Sequence, residues 1–403
     1  MRILFVCHRL PFPPNRGGKI RPFNMIRHLS QQHDVVVASL AESQQELEAG
    51  AELTTHCSQV IAELVPTKVR WCQAVAALPT SVPSSVAYFR SARLQRRIRE
   101  ALAAKPFDAV WVHCAFVAHY VSDWHDGLRV LDYGDMDSWK WEEYATHRAF
   151  PLSLGYALEM KKMRRYERIL ASQFHQCTVT TDGELEAFRS LSVPTPCRVI
   201  PNGVDVNYFS RETGKMPRRP VIAFLGRMDY YPNIDGILYF VQDVYPLIRM
   251  QRSEVELRIV GSSPGPKILA LAKMPGVAVT GHVPDVRPHM LDASVAIAPL
   301  RIARGTQNKI LECMAMGIPV VTTPEAAKGI VASQGEHLLV AENAKVFADS
   351  VLSLLSDQKL WERLSLAASQ QVRRAHHWSY SMKVLDDVLD HAWRDWKTLS
   401  LTG

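Results

Sequence analysis

The sequence predicts an α/β protein built from two doubly wound, Rossmann-like domains. Short runs of β-branched and other apolar residues alternate with longer amphipathic stretches, which is the pattern of βαβ units with parallel strands. The pattern pauses where prolines cluster near residues 194–196 and then restarts. A chain of 403 residues, 47% hydrophobic and 22% charged, is long enough for two cores of roughly 150–200 residues each.

Composition limits the class of protein further. The apolar run at residues 1–7 is shorter than a signal peptide, and no apolar run approaches the roughly 20 residues of a membrane span, so we expect a cytoplasmic protein. The seven cysteines lack CxxC spacing, and the histidines lack paired metal-ligand spacing. We therefore expect neither disulfides nor a bound metal.

The net charge of +7 is unevenly distributed. Between Lys68 and Lys105 there is one acid, Glu100, against eight basic residues: Lys68, Arg70, Arg90, Arg93, Arg96, Arg97, Arg99 and Lys105. Such a stretch suits an anionic membrane, with the protein peripheral on the inner face of the cytoplasmic membrane, or an anionic acceptor; a solvated basic helix is the alternative. No nucleic-acid motif accompanies it, so nucleic acid is not an expected partner.

The first half opens with a βαβ unit whose first connection carries two adjacent glycines, Gly17 and Gly18. Paired glycines let a backbone approach a ligand closely, and Lys19 and Arg21 follow at once, so this loop is a weak candidate for contact with phosphate. The two strands and the intervening helix are expected at residues 2–7, 34–40 and about 22–30.

Polar residues follow a later strand of the same half. Ala109–His113 and Arg129–Tyr133 are predicted strands, and the second leads into a segment that contains Asp135 and Asp137. Two carboxylates two residues apart resemble the Asp-x-Asp motif of metal-dependent sugar transferases of another fold. A positioned acid or base, or a group binding an acceptor hydroxyl, is the preferred interpretation of Asp135.

Three predicted strands of the second half each end in glycine. Because glycine has no side chain, a ligand can approach the backbone at the carboxyl edge of the sheet, where α/β proteins bind ligands. Arg227 comes directly after one of these glycines and can meet a diphosphate with its planar guanidinium. The strands and the residues after them are Val221–Leu225 with Gly226, Glu256–Val260 with Gly261, and Val277–Thr280 with Gly281 and His282.

The segment from Gly305 to Val321 is the most informative of the chain. Gly305 and Thr306 are expected to open a helix that ends at a glycine before a buried strand. Its N-terminal amides would face the carboxyl end of the preceding strand and attract an anion. Lys309 in the first turns suits a phosphate, and Glu312 on the same face suits a sugar diol. This combination indicates a nucleotide-sugar site.

Together these motifs closely resemble the family 4 glycosyltransferases, and in detail the sugar transferases associated with bacterial exopolysaccharide and PEP-CTERM systems. The resemblance covers nearly the whole chain and is carried by the glycine pair, the strand-final glycines, Pro201–Asp205, Gly226–Asn233 and the helix of Lys309. It implies the GT-B architecture, in which two Rossmann-like domains face a cleft. It also implies a retaining, metal-independent transferase with no cofactor.

The resemblance assigns domains and roles. It implies an acceptor-side domain at 1–190, a nucleotide-sugar domain at 191–375, and a helix at 376–403 that packs back on the first domain. Arg227 and Lys309 would neutralise the diphosphate, with Asp135 as a further catalytic candidate. The remaining expected donor contacts are Gly17, Gly18, Gly226, Gly261, His282, Val283, Arg304, Gly305, Thr306 and Glu312. The partners would be a nucleotide-diphosphate sugar and a glycan or lipid-linked acceptor.

Three departures from the family pattern affect these expectations. Arg304 stands where a partner glutamate for Glu312 is common, and Asn233 stands near where a lysine is common. We also find no match to the family's histidine at the end of a strand in the middle of the first domain, and expect Asp135 or His113 to replace it. The alternatives are a nucleotide-sugar epimerase or hydrolase, or a non-catalytic binding protein.

Overall fold

The computed structural model describes residues 1–211 and 215–402, and the chain divides into two compact units. The first is Met1–Pro201 together with the chain from Met382 onward, and the second is Asn202–Ser381. Each unit contains one parallel sheet flanked by helices. The predicted doubly wound α/β fold is thus confirmed.

The first sheet has seven parallel strands in the order β3-β2-β1-β4-β5-β6-β7. Its central strands are nearly continuous apolar runs because both faces are covered by helices. The strands are β1 Arg2–Cys7, β2 Asp34–Ala41, β3 Gln59–Leu64, β4 Ala109–His113, β5 Leu128–Gly134, β6 Gln176–Val179 and β7 Cys197–Val199. The edge strand β7 lies beyond residue 190 and pairs with β6, so it belongs to the first unit.

The helices of this unit include one that begins earlier than expected. They are α1 Gly17–Leu29, α2 Gln44–Ala49, α3 Thr67–Ala76, α4 Ser84–Tyr88, α5 Ala92–Ala104, α6 Asp137–His147, α7 Leu152–Gln173 and α8 Asp182–Arg189. The sequence pattern placed Gly17 and Gly18 in a loop, but they form the first turn of α1. Pro22 lies inside that helix, where the missing amide leaves only the carbonyl of Gly18 without its helical partner.

The second sheet has six parallel strands in the order β10-β9-β8-β11-β12-β13. They are β8 Val221–Leu225, β9 Glu256–Val260, β10 Val277–Val279, β11 Val295–Ala298, β12 Val320–Thr322 and β13 Leu339–Val340. The helices around it are α9 Tyr231–Tyr239, α10 Tyr245–Gln251, α11 Pro266–Leu269, α12 Arg287–Met290, α13 Asn308–Ala315, α14 Pro324–Ala327, α15 Ala344–Ser356 and α16 Gln358–Ala375.

The last helix, α17, covers Trp378–Thr402 and contributes residues to both units. In the first unit His28 of α1 lies 2.9 Å from the carboxylate of Asp386, which ties α17 to α1. Among the described residues, no helix combines the length and apolar character needed to cross a bilayer.

Candidate functional site

At the carboxyl edge of the second sheet, the loops after β8 and β9 touch backbone to backbone. Gly261 has a φ of +150°, and a Cβ atom there would lie 1.8 Å from the carbonyl oxygen of Gly226. A Cβ atom on Gly226 would lie 2.7 Å from the side-chain nitrogen of Asn233. Both strand-final glycines are therefore required by the packing of the loops, and this packing brings Asn233 to the edge of the sheet.

Asn233 connects the ammonium of Lys309 to the backbone of Arg227. Its buried side-chain oxygen accepts a hydrogen bond from the Lys309 ammonium, and its nitrogen donates to the backbone oxygen of Arg227 at 2.7 Å. The ammonium also lies 5.1 Å from the centroid of the Phe224 ring. Within the described residues, Lys309 is thus held by a neutral amide and an aromatic face rather than by a carboxylate.

The electrostatics of this edge favour an added anion. Burial lowers the pKa of Lys309 to about 8, and the nearby Glu312 only partly opposes this shift. Burial also raises the pKa of Glu312 to about 7, in spite of Lys309. A negative group placed against the ammonium would raise the pKa of Lys309 again, since an opposite charge nearby favours the charged form.

The helix that carries these two residues, α13, begins at Asn308 rather than at Gly305 or Thr306. Gly305 has a φ of +60°, outside the helical region, and its carbonyl oxygen would lie 2.1 Å from a Cβ atom on Gly329. The residue before the helix, Gln307, gives no side-chain cap because its amide donates to the carbonyl of Arg304 at 2.9 Å. The helix still places Lys309 in its first turn, as predicted.

Arg227 is engaged with a neighbouring carboxylate. Its Nε donates to Asp229 at 3.1 Å, and both side chains are partly exposed to solvent. A diphosphate would have to compete with Asp229 for this guanidinium, whereas Lys309 has no such competitor among the described residues. The two predicted cations therefore differ in their partners: a carboxylate for Arg227 and a neutral amide for Lys309.

The predicted base-binding segment lies beside the same edge. Gly281 follows β10 with a φ of +69°, and the hydroxyl of Thr280 donates to the Gly281 carbonyl at 3.0 Å and accepts from the Gly261 amide at 3.4 Å. His282 is exposed, and Val283 is half-buried. The Thr280 hydroxyl thus links the start of the Gly281–Val283 segment to Gly261, the residue after β9.

The first unit holds a second cluster, which sequence reasoning did not find. Asp132 of β5 is fully buried and accepts two hydrogen bonds from the Arg21 guanidinium, each at 2.9 Å, and one from Thr178 at 2.8 Å. Its Oδ2 also lies 2.7 Å from Nδ1 of His113. Although burial would raise it, the pKa of Asp132 is held far below its ordinary range by Arg21 and His113.

His113 is one of the two residues expected to replace the family's histidine. His113 ends β4, the central strand of the seven, and Asp132 fixes its ring through Nδ1. Its Nε2 has no hydrogen-bond partner among the described residues, so it can serve a ligand. The signal was available, because a carboxylate inside an apolar strand must be paired.

A second histidine and two glycines lie beside this imidazole. The ring of His8 lies 5.8 Å from that of His113, and its pKa is lowered well below the ordinary value by burial and by Arg9. A Cβ atom on Gly18 would lie 3.6 Å from Nε2 of His8, and one on Gly134 would lie 3.8 Å from the His113 ring. Gly18 therefore lines the histidine pair, at the start of α1.

Asp135 and Asp137 do not form a metal cluster with other ligands in the described part of the chain. Asp135 is half-buried and accepts a hydrogen bond from Thr180 at 2.9 Å. Burial raises the pKa of Asp137 to about 6, and Lys140 lies 3.4 Å away. Asp135 thus retains a carboxylate oxygen next to the strand ends, as an acid, base or hydroxyl ligand requires.

The basic residues after the glycine pair are not free for phosphate. Lys19 is buried and forms an ion pair with Glu46 at 2.5 Å, and Arg21 is bound to Asp132. The predicted phosphate contact of this segment therefore does not come from these two side chains. They fix α1 to its own unit instead.

Comparison with known proteins agrees with this geometry. Residues 16–208 match the model described as Glycosyltransferase Family 4, and residues 219–357 match Glycosyl transferases group 1. A phosphatidyl-myo-inositol mannosyltransferase of Mycobacterium leprae (strain TN) is 27% identical over 313 residues, which are 75% of this chain and 79% of that protein.

Solved structures share the fold at low sequence identity. Sucrose-phosphate synthase from Thermosynechococcus elongatus superposes with a TM-score of 0.73 at 15% identity, covering 98% of this chain and 100% of that chain. Anabaena HepE in complex with UDP gives a TM-score of 0.69 at 13% identity, covering 97% and 100%.

These similarities first define the fold class, which is the GT-B fold with two parallel-sheet units. The matched segments agree with this class. Residues 16–208 are similar to Glycosyltransferase Family 4 and residues 219–357 to Glycosyl transferases group 1, and together with the mannosyltransferase relative they show that the protein is a glycosyltransferase.

Proposed function

We propose that this protein transfers a sugar, with retention of anomeric configuration and without a metal, from a nucleotide-diphosphate sugar to a glycan or lipid-linked acceptor in exopolysaccharide biosynthesis. The observation that carries the proposal is the Lys309 ammonium, held by Asn233 beside Glu312 at the carboxyl edge of the second sheet. Sites for anionic ligands in α/β proteins lie at this edge.

In this proposal the second unit binds the donor. Lys309 and Arg227 neutralise the diphosphate together with the amides at the start of α13, and Glu312 accepts hydrogen bonds from the ribose hydroxyls. The backbone at Gly281–Val283 meets the base, and the Arg304–Thr306 loop meets the sugar and phosphates. Support comes from Anabaena HepE, of the same fold, whose structures contain UDP or UDP-glucose.

The main catalytic effect is stabilisation of the departing diphosphate. The bond between the anomeric carbon and the diphosphate oxygen breaks, the acceptor oxygen bonds to that carbon, and the acceptor proton passes to the leaving phosphate. Lys309 is suited to this role because burial weakens its hold on the proton until an anion arrives. The two protein cations take the neutralising role that a metal has in other transferases.

The first unit binds the acceptor through His113 and Asp135. Asp132 orients the His113 ring, and Nε2 then accepts from or donates to an acceptor hydroxyl. A lipid-linked acceptor is supported by the M. leprae relative, whose name gives phosphatidyl-myo-inositol as its acceptor.

The first experiment is calorimetric titration of the purified protein with UDP- and GDP-sugars in EDTA. Micromolar binding of one donor, lost in Glu312→Ala and kept in the exposed control Glu336→Ala, is the expected result. The bound donor then enters an assay with and without glycan acceptors. Product formation only with acceptor supports transfer, and the anomeric configuration of the product, read by NMR, tests retention.

Other outcomes contradict the proposal. Donor turnover without an acceptor would indicate an epimerase or hydrolase, and tight binding without any turnover would indicate a binding protein. A requirement for a divalent cation would overturn the metal-independent mechanism.

A further inference from the structure

The basic stretch from Lys68 to Lys105 is largely engaged within the first unit. Arg93 and Arg97 both pair with Glu63, at 3.2 and 2.6 Å, and Arg99 pairs with Asp123 at 3.0 Å. Arg70 is fully buried and donates to two backbone carbonyls. The cationic character of the sequence here therefore does not produce one free basic face on α5.

The helix α3, within this stretch, exposes an apolar face instead. Arg70 and Ala74 are its buried residues and fix it to the unit. Its solvent-facing surface presents Trp71, which is 60% exposed, and Val75, with Leu78 exposed just after the helix. Large apolar side chains grouped on a solvent-facing helix mark an interaction surface.

A second exposed apolar segment lies at the start of α7, and Lys162, farther along α7, contacts the end of α3. Phe150 is 80% exposed, and Leu154 and Leu158 are exposed one turn apart on α7. The ammonium of Lys162, one turn beyond Leu158, donates to the carbonyls of Ala77 at 3.1 Å and Leu78 at 2.8 Å. These hydrogen bonds make the two segments neighbours, and we call them together the α3/α7 surface.

The charges next to this surface are of one sign. The exposed positions that continue the Leu154 and Leu158 face of α7 are Lys161, Arg165 and Arg168. The two carboxylates of α7 are both turned inward: Glu159 accepts from the amides of residues 84 and 85, and Glu167 is fully buried. The apolar segment therefore continues directly into a cationic helix face.

We propose that the α3/α7 surface binds the face of an anionic lipid bilayer, with Trp71, Phe150 and Leu154 entering the interfacial region and Lys161 and Arg165 meeting phosphate headgroups. Exposed aromatic and aliphatic side chains bordered by lysine and arginine are the pattern of interfacial membrane contact. Each basic residue near an anionic membrane adds to the attraction. The proposal stands on its own, whatever sugar the protein transfers.

The test is flotation of the full chain with vesicles of phosphatidylglycerol and phosphatidylcholine, and with phosphatidylcholine alone. Wild type should float with the anionic vesicles and much less with the neutral ones. The pairs Trp71→Asp with Phe150→Asp, and Lys161→Glu with Arg165→Glu, should each reduce vesicle binding at least tenfold. All four side chains are exposed or half-buried, so thermal unfolding should show that the variants stay folded.

Two controls match the variants. Met250→Asp introduces a charge at an 82% exposed apolar residue of the second unit, and Arg96→Glu reverses a charge on α5. Both should float like wild type. The proposal fails if wild type does not bind anionic vesicles, or if the controls lose as much binding as the α3/α7 variants. It also fails if light scattering shows a dimer that Trp71→Asp dissociates, since a second copy would then cover the surface.

Discussion

Cations at the carboxyl edges of the two sheets have different kinds of partner. In the first unit, buried cations meet carboxylates: Arg21 is bound by Asp132, and Lys19 by Glu46. In the second unit, Lys309 meets the neutral amide of Asn233. A charge balanced within the protein fixes structure, whereas a charge held by a neutral group retains affinity for a ligand. We therefore expect changes at the first edge to affect stability and changes at the second to affect binding.

The largest expected effect is at the first edge. Asp132→Asn would leave the buried Arg21 without its counter-charge and should lower the free energy of unfolding by about 3–5 kcal/mol. Urea unfolding measures this loss. The matched control is Asp123→Asn, which breaks the exposed pair with Arg99 and should change stability by less than about 1 kcal/mol. Equal losses in both variants would refute a buried structural ion pair.

At the second edge, Lys309→Ala should reduce kcat/KM by an amount equivalent to about 2–4 kcal/mol of transition-state stabilisation. Unfolding should change less than in Asp132→Asn, because the carboxylate that loses a nearby charge, Glu312, has a pKa of about 7 and can take up a proton instead. Steady-state kinetics with the donor found by calorimetry provides the measurement. Lys328→Ala, at an exposed lysine after α14, is the control. A Lys309 variant with near-normal turnover would remove it from the mechanism.

Asn233→Asp tests the difference between a cation held by a neutral amide and one paired with a carboxylate. A carboxylate at this position would pair with Lys309 as Asp132 pairs with Arg21, and it would compete with the diphosphate. Donor affinity should fall about tenfold or more, since a hydrogen bond to a charged group contributes about 1.5–3 kcal/mol. Asp235→Asn, two residues away and paired with Arg301, is the control. Unchanged calorimetric affinity in Asn233→Asp would show that Lys309 does not meet the donor's charge.

Most of the fold could be predicted, because strands buried on both faces are apolar runs that stand out in the sequence. The two missed strands lack this signal: β3 is a half-exposed edge strand, and β13 has only two residues. The early start of α1 was not predicted, because glycine and proline usually indicate a turn or loop rather than a helix.

The parts of the candidate site that depend only on spacing along one helix could be predicted from the sequence. Lys309 and Glu312 needed only helical spacing to share a face. The contacts of Lys309 with Asn233 and of Arg21 with Asp132 join residues 76 and 111 positions apart, and only tertiary packing creates them. The roles proposed for these side chains stay predictions until binding is measured.

The smallest expected effect is the pH dependence of donor affinity, and it is specific to Lys309. Lys309, with a pKa of about 8, loses its proton as the pH rises above that value, so donor affinity should decline, approaching tenfold per pH unit. Its nearest titrating neighbour, Glu312, has a pKa of about 7 and is already largely ionised in this range. Lys309→Arg keeps its charge and should show a flat profile. Calorimetry from about pH 8 to about pH 10, where Glu312 is largely ionised, compares the two proteins.

Stability should move in the opposite direction from affinity. Because the pKa of Lys309 is lower in the folded chain than in the unfolded chain, the unfolded state binds more protons between about pH 8 and the ordinary lysine pKa near 10.5. The free energy of unfolding contributed by this residue therefore rises with pH over that interval, while donor binding weakens. Parallel falls in both quantities would show that the ammonium is balanced within the protein, as Arg21 is, and would erase the difference between the two edges.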